Sequence, residues 1–347
     1  MGDERVRDYM SNIVGNRAVC EKLCLDVLAN KLSHALILEG PQGTGKHTIA
    51  KSVAATLACA EKNTSDKIPC GTCLGCRKVF EDKSPDVITV NRGDKSTLGI
   101  DVIRFLREDV RTVPNDLDFK IYVIEEADKM TTEAQNAFLL TLEEPPSYAV
   151  FILLCESSSA LLETIRSRAP VLRTALISNE ALDTYISSTD RRAAQMKLSS
   201  PKEYAELIVA SAGGIGTALK YLEPNKFAPV KEMRALVTDF CEAALCQKGA
   251  KAAMQVLSRF SQNRETLSNQ LAMLSSASSD LLLLKKSDDA PLKFFHDRNA
   301  AIELCDNAST KFIYDLNFAV LTASNSNQRN ANVRLLLTKL LSDAGMI

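Results

Sequence analysis

Leu36-Ile37-Leu38-Glu39 runs without a break into Gly40-Pro41-Gln42-Gly43-Thr44-Gly45-Lys46-His47-Thr48, and a helical pattern continues from Thr48 to Ala60. Strand, glycine-rich loop and helix stand here in the order a phosphate cradle needs. Glycines let backbone N–H groups approach phosphate oxygens, and a lysine at this spacing reaches the β and γ oxygens. A glycine turn ahead of any helix would account for the glycines but not for Lys46. One position departs from the pattern. The residue after the lysine should be Ser or Thr, whose hydroxyl binds Mg²⁺, and here it is His47. Thr48 is displaced about 100° around the helix and is a poor substitute. Gly40, Gly43, Thr44, Gly45, Lys46, His47 and Thr48 therefore form a candidate nucleotide-binding loop that is degenerate at its metal ligand.

A second acidic motif closes another apolar run, Ile121-Tyr122-Val123-Ile124-Glu125-Glu126-Ala127-Asp128. In a working phosphoryl-transfer site the first acid holds Mg²⁺ and the second polarises the attacking water. Glu125 stands where Asp is usual, so its carboxylate arrives one methylene, roughly 1.3 Å, too far out. Glu126 is the candidate base. Without the phosphate loop the same residues would read as a charged strand-to-helix turn.

Working outward, Val87–Val90 and Val150–Leu154 read as further buried strands, rich in β-branched and aromatic residues, with helical stretches at Val102–Val110 and Thr132–Leu142 between them. This alternation predicts a parallel sheet with helices on both faces. From Asn179 the strand signals stop and helical patterns fill the rest: Asn179–Ser187, Lys202–Ala210, Thr217–Leu222, Pro229–Gln247, Ala250–Phe260, Thr266–Leu284, and two near the C-terminus. Pro224 and Pro229 bracket a linker at 223–229. The expected fold class is α/β plus all-α: a P-loop domain at 1–177, a small helical domain at 178–228 and a larger helical domain at 229–347.

Over 347 residues, 46% hydrophobic and 24% charged residues exclude wholesale disorder. With 42 Lys and Arg against 43 Asp and Glu the net charge is −1, which argues against gripping nucleic acid by bulk charge. No run of about 18 apolar residues spans a membrane, and Met1-Gly2-Asp3-Glu4-Arg5 has no apolar signal core behind it, so a cytoplasmic protein is expected. Ten cysteines are then many. Four follow C-x10-C-x2-C-x2-C: Cys59, Cys70, Cys73 and Cys76, with Gly71 and Gly75 allowing a tight knuckle. Four thiolates without histidine suit a closed tetrahedral Zn²⁺ site, structural because no position is left for substrate. An iron–sulfur cluster and a redox pair are the rival readings. The site would staple an insertion at 59–76. A zinc-dependent DNA-binding module is a further alternative, but only Arg77, Lys78 and Phe80 flank the cluster.

Further motifs narrow the choice: Ile13-Val14-Gly15-Asn16, Ser33-His34-Ala35, Ile103-Arg104-Phe105-Leu106-Arg107-Glu108-Asp109-Val110, and Asn136-Ala137-Phe138-Leu139-Leu140-Thr141-Leu142-Glu143-Glu144-Pro145-Pro146. With the zinc insertion they closely resemble the bacterial DNA polymerase III clamp loader, AAA+ proteins that open the sliding clamp. Asn330-Ala331-Asn332-Val333-Arg334-Leu335-Leu336-Leu337 resembles the last helix of that family's oligomerising collar. The resemblance implies an AAA+ domain, a helical lid at 178–228 and a collar at 229–347. The implied partners are gamma/tau and delta subunits in a hetero-pentamer, the sliding clamp, and primer-template DNA through the assembly.

Departures from the family pattern separate its subunit types. The family's Ser-Arg-Cys motif matches Ser167-Arg168-Ala169, which implies that Arg168 is a finger reaching a neighbour's ATP. Alone, it would read as a surface arginine at a helix end. In Gly213-Gly214-Ile215-Gly216-Thr217, Gly216 stands where motor subunits carry an arginine for their own γ-phosphate. The sensor after the fourth strand reads Cys155-Glu156-Ser157-Ser158, and Glu156 brings negative charge toward the phosphates. His47, Glu125, Glu156 and Gly216 thus depart from self-hydrolysis while Arg168 is kept. This resembles the family's delta-prime type, with ATP and Mg²⁺ disfavoured in this chain's own site; the gamma/tau ATPase motor is the alternative.

Overall fold

The computed structural model describes residues 8–11, 13–245, 249–329 and 331–347. The charged start at Met1–Arg5, Gln247 at the end of one expected helix, and Asn330 of the collar-like motif lie outside the described residues. The chain divides into two compact units: residues up to 177 together with 214–216, and 178–213 together with 217–347.

The N-terminal unit carries strands β1 (Asp8–Tyr9), β2 (Ala35–Glu39), β3 (Lys67–Ile68), β4 (Val87–Val90), β5 (Lys120–Ile124), β6 (Ala149–Cys155) and β7 (Val171–Arg173). Its helices are α1 (Arg17–Leu28), α2 (Lys46–Leu57), α3 (Leu74–Phe80), α4 (Ile100–Asp109), α5 (Thr132–Glu143) and the single turn α6 (Glu163–Arg166). Five strands form one sheet in the order β4-β5-β6-β2-β7, and every pairing is parallel. Along β2, Leu36 and Leu38 belong to one buried cluster and Ala35 and Ile37 to the other. A strand alternates faces residue by residue, so a continuous apolar run means that both faces are covered. The first face packs on Leu23 of α1 and Ile49 and Val53 of α2, the second on Ile103 of α4 and Phe138 of α5. Phe151 of β6 stacks on Tyr122 (5.3 Å) and meets Phe138 edge-on (5.4 Å). This is the parallel sheet covered by helices on both faces that the strand–helix alternation predicts.

The sequence yielded four strands of this sheet and not the fifth. β7 has three residues and only half-buried or exposed side chains, so it carries almost no apolar signal. Its contribution is positional: β2 sits between β6 and β7, and the segments following β2, β5, β6 and β7 all open at the carboxyl edge of the sheet. In an open parallel sheet that edge is where ligands bind. Helices α1 and α3 and the two-residue pair β1–β3, registered Asp8 to Lys67 and Tyr9 to Ile68, were also unforeseen.

The C-terminal unit is helical among the described residues: α7 (Asn179–Thr189), α8 (Arg191–Ser199), α9 (Pro201–Ala210), α10 (Ile215–Tyr221), α11 (Ala228–Leu245), α12 (Gly249–Leu257), α13 (Arg264–Leu284), α14 (Arg298–Asp306), α15 (Thr310–Gln328) and α16 (Val333–Asp343). Three helices follow α13 where two were expected. The linker is shorter than expected, because Ala228 and Pro229 open α11; proline's fixed φ and missing N–H suit a first helical turn. One cluster running from Leu236 to Ala344, including Phe240, Leu271, Leu281, Leu316 and Leu340, forms the core of the bundle. No helix among the described residues is long and apolar enough to cross a membrane.

Candidate functional site

The phosphate loop leaves β2 at Gly40, whose N–H donates to Cys155 O (3.1 Å), and enters α2 at Gly45. Gly43 (φ 87°) and Gly45 (φ 83°) take left-handed conformations that favour glycine. No side chain caps α2, so the N–H groups of its first turn remain a cradle for an anion. A Cβ on Gly40 would lie 2.3 Å from Thr174 Oγ1, so the loop passes against the residue after β7 at a distance only glycine allows. Thr44 Oγ1 is paired with Thr174 Oγ1 (2.9 Å) and donates to Pro41 O (3.0 Å). Asn16, itself left-handed, donates to Thr44 O (3.2 Å) and Ala175 O (3.1 Å) and accepts from Ala175 N (2.7 Å). The loop is therefore strapped to the segment after β7. Lys46 Nζ donates to Gly40 O (2.6 Å) and Pro41 O (2.8 Å). Burial pulls its ammonium below the usual lysine range, opposed by Glu156, Cys155 and Asp128.

The two departures from a metal site, made at distant points of the sequence, meet in space. His47 Nε2 stands 3.3 Å from Glu125 Oε1. A hydroxyl and a short carboxylate would bracket Mg²⁺ there; an imidazole and a longer carboxylate instead contact each other. Glu126, the candidate base, is engaged at both oxygens by Arg92, with Nε–Oε2 at 2.6 Å and Nη2–Oε1 at 3.3 Å. The pairing holds the Arg92 guanidinium above its ordinary range. Nothing in the sequence pointed to Arg92, which lies on the loop after β4, 34 residues from its partner. Glu156 is exposed after β6, whereas the Cys155 thiol beside it is buried, donates to Leu38 O (3.9 Å) and is pushed up to about 12 by burial. At Gly216 an added Cβ would meet nothing within 4 Å, so packing does not demand the glycine.

Cys59, Cys70, Cys73 and Cys76 converge, with every Sγ within 4.8 Å of the others. A tetrahedral Zn²⁺ with Zn–S near 2.3 Å separates its sulfurs by about 3.8 Å, and Cys70 Sγ to Cys76 Sγ is 3.9 Å. Backbone N–H groups of Cys73 and Cys76 donate to the sulfurs of Cys70 (3.4 Å) and Cys73 (3.5 Å), and Thr72 Oγ1 reaches Cys70 Sγ (3.6 Å). Burial alone would raise the Cys70 thiol, but these donors outweigh it and bring it to about 6. A soft four-thiolate donor set with N–H···S support fits zinc. Cys59 and Cys76 are also buried members of the α1–α2 core cluster, so the knuckle is continuous with the domain core. Gly75 sits against Ala58: a Cβ there would lie 2.1 Å from Ala58 O. Gly75→Ala is accordingly expected to lower stability by about 1–3 kcal/mol and to loosen metal retention, measurable as a fall in the denaturant midpoint together with faster loss to a chelator.

Arg168 follows α6 at the end of the second-face core. Ala169 is fully buried and fixes the backbone, while the Arg168 side chain is 38% exposed. Its Nη1 donates to Thr164 O (3.1 Å), and its Nη2 lies 3.4 Å from Glu143 Oε1.

Residues 15–177, a little under half of the chain, match a family model described as DNA polymerase III, delta subunit. The tau subunit of Bacillus subtilis DNA polymerase III is 30% identical over 213 residues, which is 61% of this chain and 37% of that protein. The gamma/tau subunit of Mycobacterium tuberculosis is 32% identical over 158 residues, 46% of this chain and 27% of that protein. The chain thus spans little more than a third and about a quarter of the length of these two relatives. A solved gamma subunit-related protein of Thermotoga maritima covers 94% of this chain and 98% of its own at 16% identity and a TM-score of 0.45. The chain is thus similar to subunits of DNA polymerase III, tau and gamma/tau among them.

Proposed function

We propose that this chain is a clamp-loader subunit of the delta-prime type: a ring member that offers Arg168 to a neighbour's ATP and does not hydrolyse ATP itself. The observation that carries the reading is the 3.3 Å contact between His47 and Glu125, the two residues that stand where a hydroxyl and an Asp would hold Mg²⁺. The Arg92–Glu126 pair supports it, since a carboxylate engaged at both oxygens by a guanidinium is not free to orient an attacking water. Arg168, by contrast, is exposed and held by one carbonyl and one carboxylate. In this role residues 178–228 serve as the lid and 229–347 as the collar that joins gamma/tau and delta subunits in a hetero-pentamer. The assembly loads the sliding clamp on primer-template DNA in the cytoplasm. Zn²⁺ on Cys59, Cys70, Cys73 and Cys76 is structural.

A second reading, an ATP-hydrolysing gamma/tau motor, is favoured by one fact: the curated relatives above are gamma/tau proteins, and Gly40, Gly43, Thr44, Gly45 and Lys46 are all in place. Nucleotide binding decides between the two. Under the delta-prime reading, Mg²⁺ does not tighten ATP binding to the isolated chain, there is no turnover, and ATPase of co-purified gamma/tau and delta subunits rises when the chain is added. Metal-dependent binding with turnover by the isolated chain would establish the motor instead.

A further inference from the structure

We propose that Glu143 is the positioning residue for Arg168, keeping the guanidinium at the edge where a neighbour's phosphate would arrive; the inference rests on the trans-arginine reading above. It starts from a local misfit. Glu143 is the last residue of α5 and Glu144 its cap, and no basic residue lies in the last turn. Negative charge at the negative end of a helix dipole is unfavourable, and Pro145-Pro146 hold the helix end at that point. Residues that break a local rule mark functional or strained places.

The partner that relieves the misfit is not on the helix. It is Arg168, 25 residues on, whose Nη2 lies 3.4 Å from Glu143 Oε1. Thr164 O takes Nη1 (3.1 Å), so the guanidinium is fixed by two acceptors on two elements. A guanidinium has five N–H donors, and two are spent here, leaving the others for a phosphate. The backbone under the arginine is rigid: Arg168 N and Ala169 N both donate to Ile165 O at 3.0 Å, and Ile165 and Ala169 are fully buried. The remaining freedom is in the arginine side chain itself, and the carboxylate restricts it. Because the pair is half exposed, Glu143 yields the guanidinium readily to a more highly charged phosphate. Glu143 touches no nucleotide; it acts only through Arg168.

The test uses the reconstituted complex carrying Glu143→Gln, Arg168→Ala, or both. At the ATP site that Arg168 faces, read by single-turnover kinetics, Glu143→Gln is expected to slow hydrolysis about two- to fivefold, the range an exposed ion pair supports, with nucleotide affinity little changed. The loss should shrink at about 0.5 M salt, where screening removes the pair's advantage. Glu143→Asp, which keeps the charge, should retain part of the rate. On the Arg168→Ala background Glu143→Gln should add nothing. An unchanged rate for Glu143→Gln while Arg168→Ala loses activity overturns the role of Glu143 alone. The same loss on both backgrounds also overturns it. No effect of Arg168→Ala removes the finger reading and this inference with it. Unaltered melting of the isolated Glu143→Gln chain separates positioning from folding.

Discussion

Replacing Cys76 with serine is expected to abolish stoichiometric zinc and to lower the stability of the N-terminal unit by roughly 4 kcal/mol or more, a midpoint shift on the order of 10 °C. Two losses combine. Metal binding to such a site is coupled to folding, so losing one of four thiolates forfeits much of that coupling. Cys76 is also fully buried within the cluster that includes Ile49, Val53 and Ile68, and its Sγ lies 3.5 Å from Ala55 O. A serine hydroxyl there would be shorter and more polar in the same apolar surroundings. Metal analysis should fall from one zinc per chain to none, and calorimetry with and without chelator should coincide for the variant but not for the parent. A parent chain that carries iron, or whose melting ignores chelators, would reject structural zinc.

The convergence of the four cysteines was legible because their spacing is local. Three of the four lie within seven residues, and Cys59 is only one turn of chain past α2. Strands β2, β5 and β6 were legible for a related reason: burial on both faces leaves an unbroken apolar run. The edge strand β4, with Thr89 exposed, was legible by its β-branched residues instead. What escaped has no run. β7 is three residues long, yet it places Thr174 and Ala175 where Thr44 and Asn16 bind them. α1 hides its apolar stripe partly in cysteines, since Cys20 and Cys24 stand with Leu23 and Val27 on the buried side. α8 buries only Ala193 and has little stripe to find.

The candidate nucleotide site was legible as a set of separate departures and not as a structure. His47 and Glu125 each read as a lost ligand. That they lie 3.3 Å apart depends on β2 and β5 lying in one sheet with β6 between them, which no spacing in the sequence encodes. The same holds for Arg92 and Glu126. Both acids of the motif are thereby committed to side chains of the same chain, a more specific condition than the absence of a metal ligand. It bears on mechanism, because restoring one residue alone would leave its old partner unpaired in the site.

Arg168→Ala is expected to cut hydrolysis about a thousandfold at the one ATP site this arginine would face, the lower end of what a trans arginine supplies. The charge developing on the transferred phosphoryl group is what the guanidinium stabilises, so the loss belongs in kcat with nucleotide binding nearly unchanged. The total rate of the assembly carries a second piece of information. If its ATP sites fire independently, the total falls only by the share of the affected site, and single-turnover kinetics will show one slow phase beside unchanged fast ones. If they fire in concert, the whole rate collapses. Assembly should survive either way, since Arg168 is 38% exposed and its backbone is held by Ile165 and Ala169 rather than by its side chain. Arg168→Lys discriminates further: it keeps the charge but loses the planar fork, and should recover only a small part of the rate. Full activity in both variants would remove Arg168 from the reaction and leave it a surface residue at a helix end.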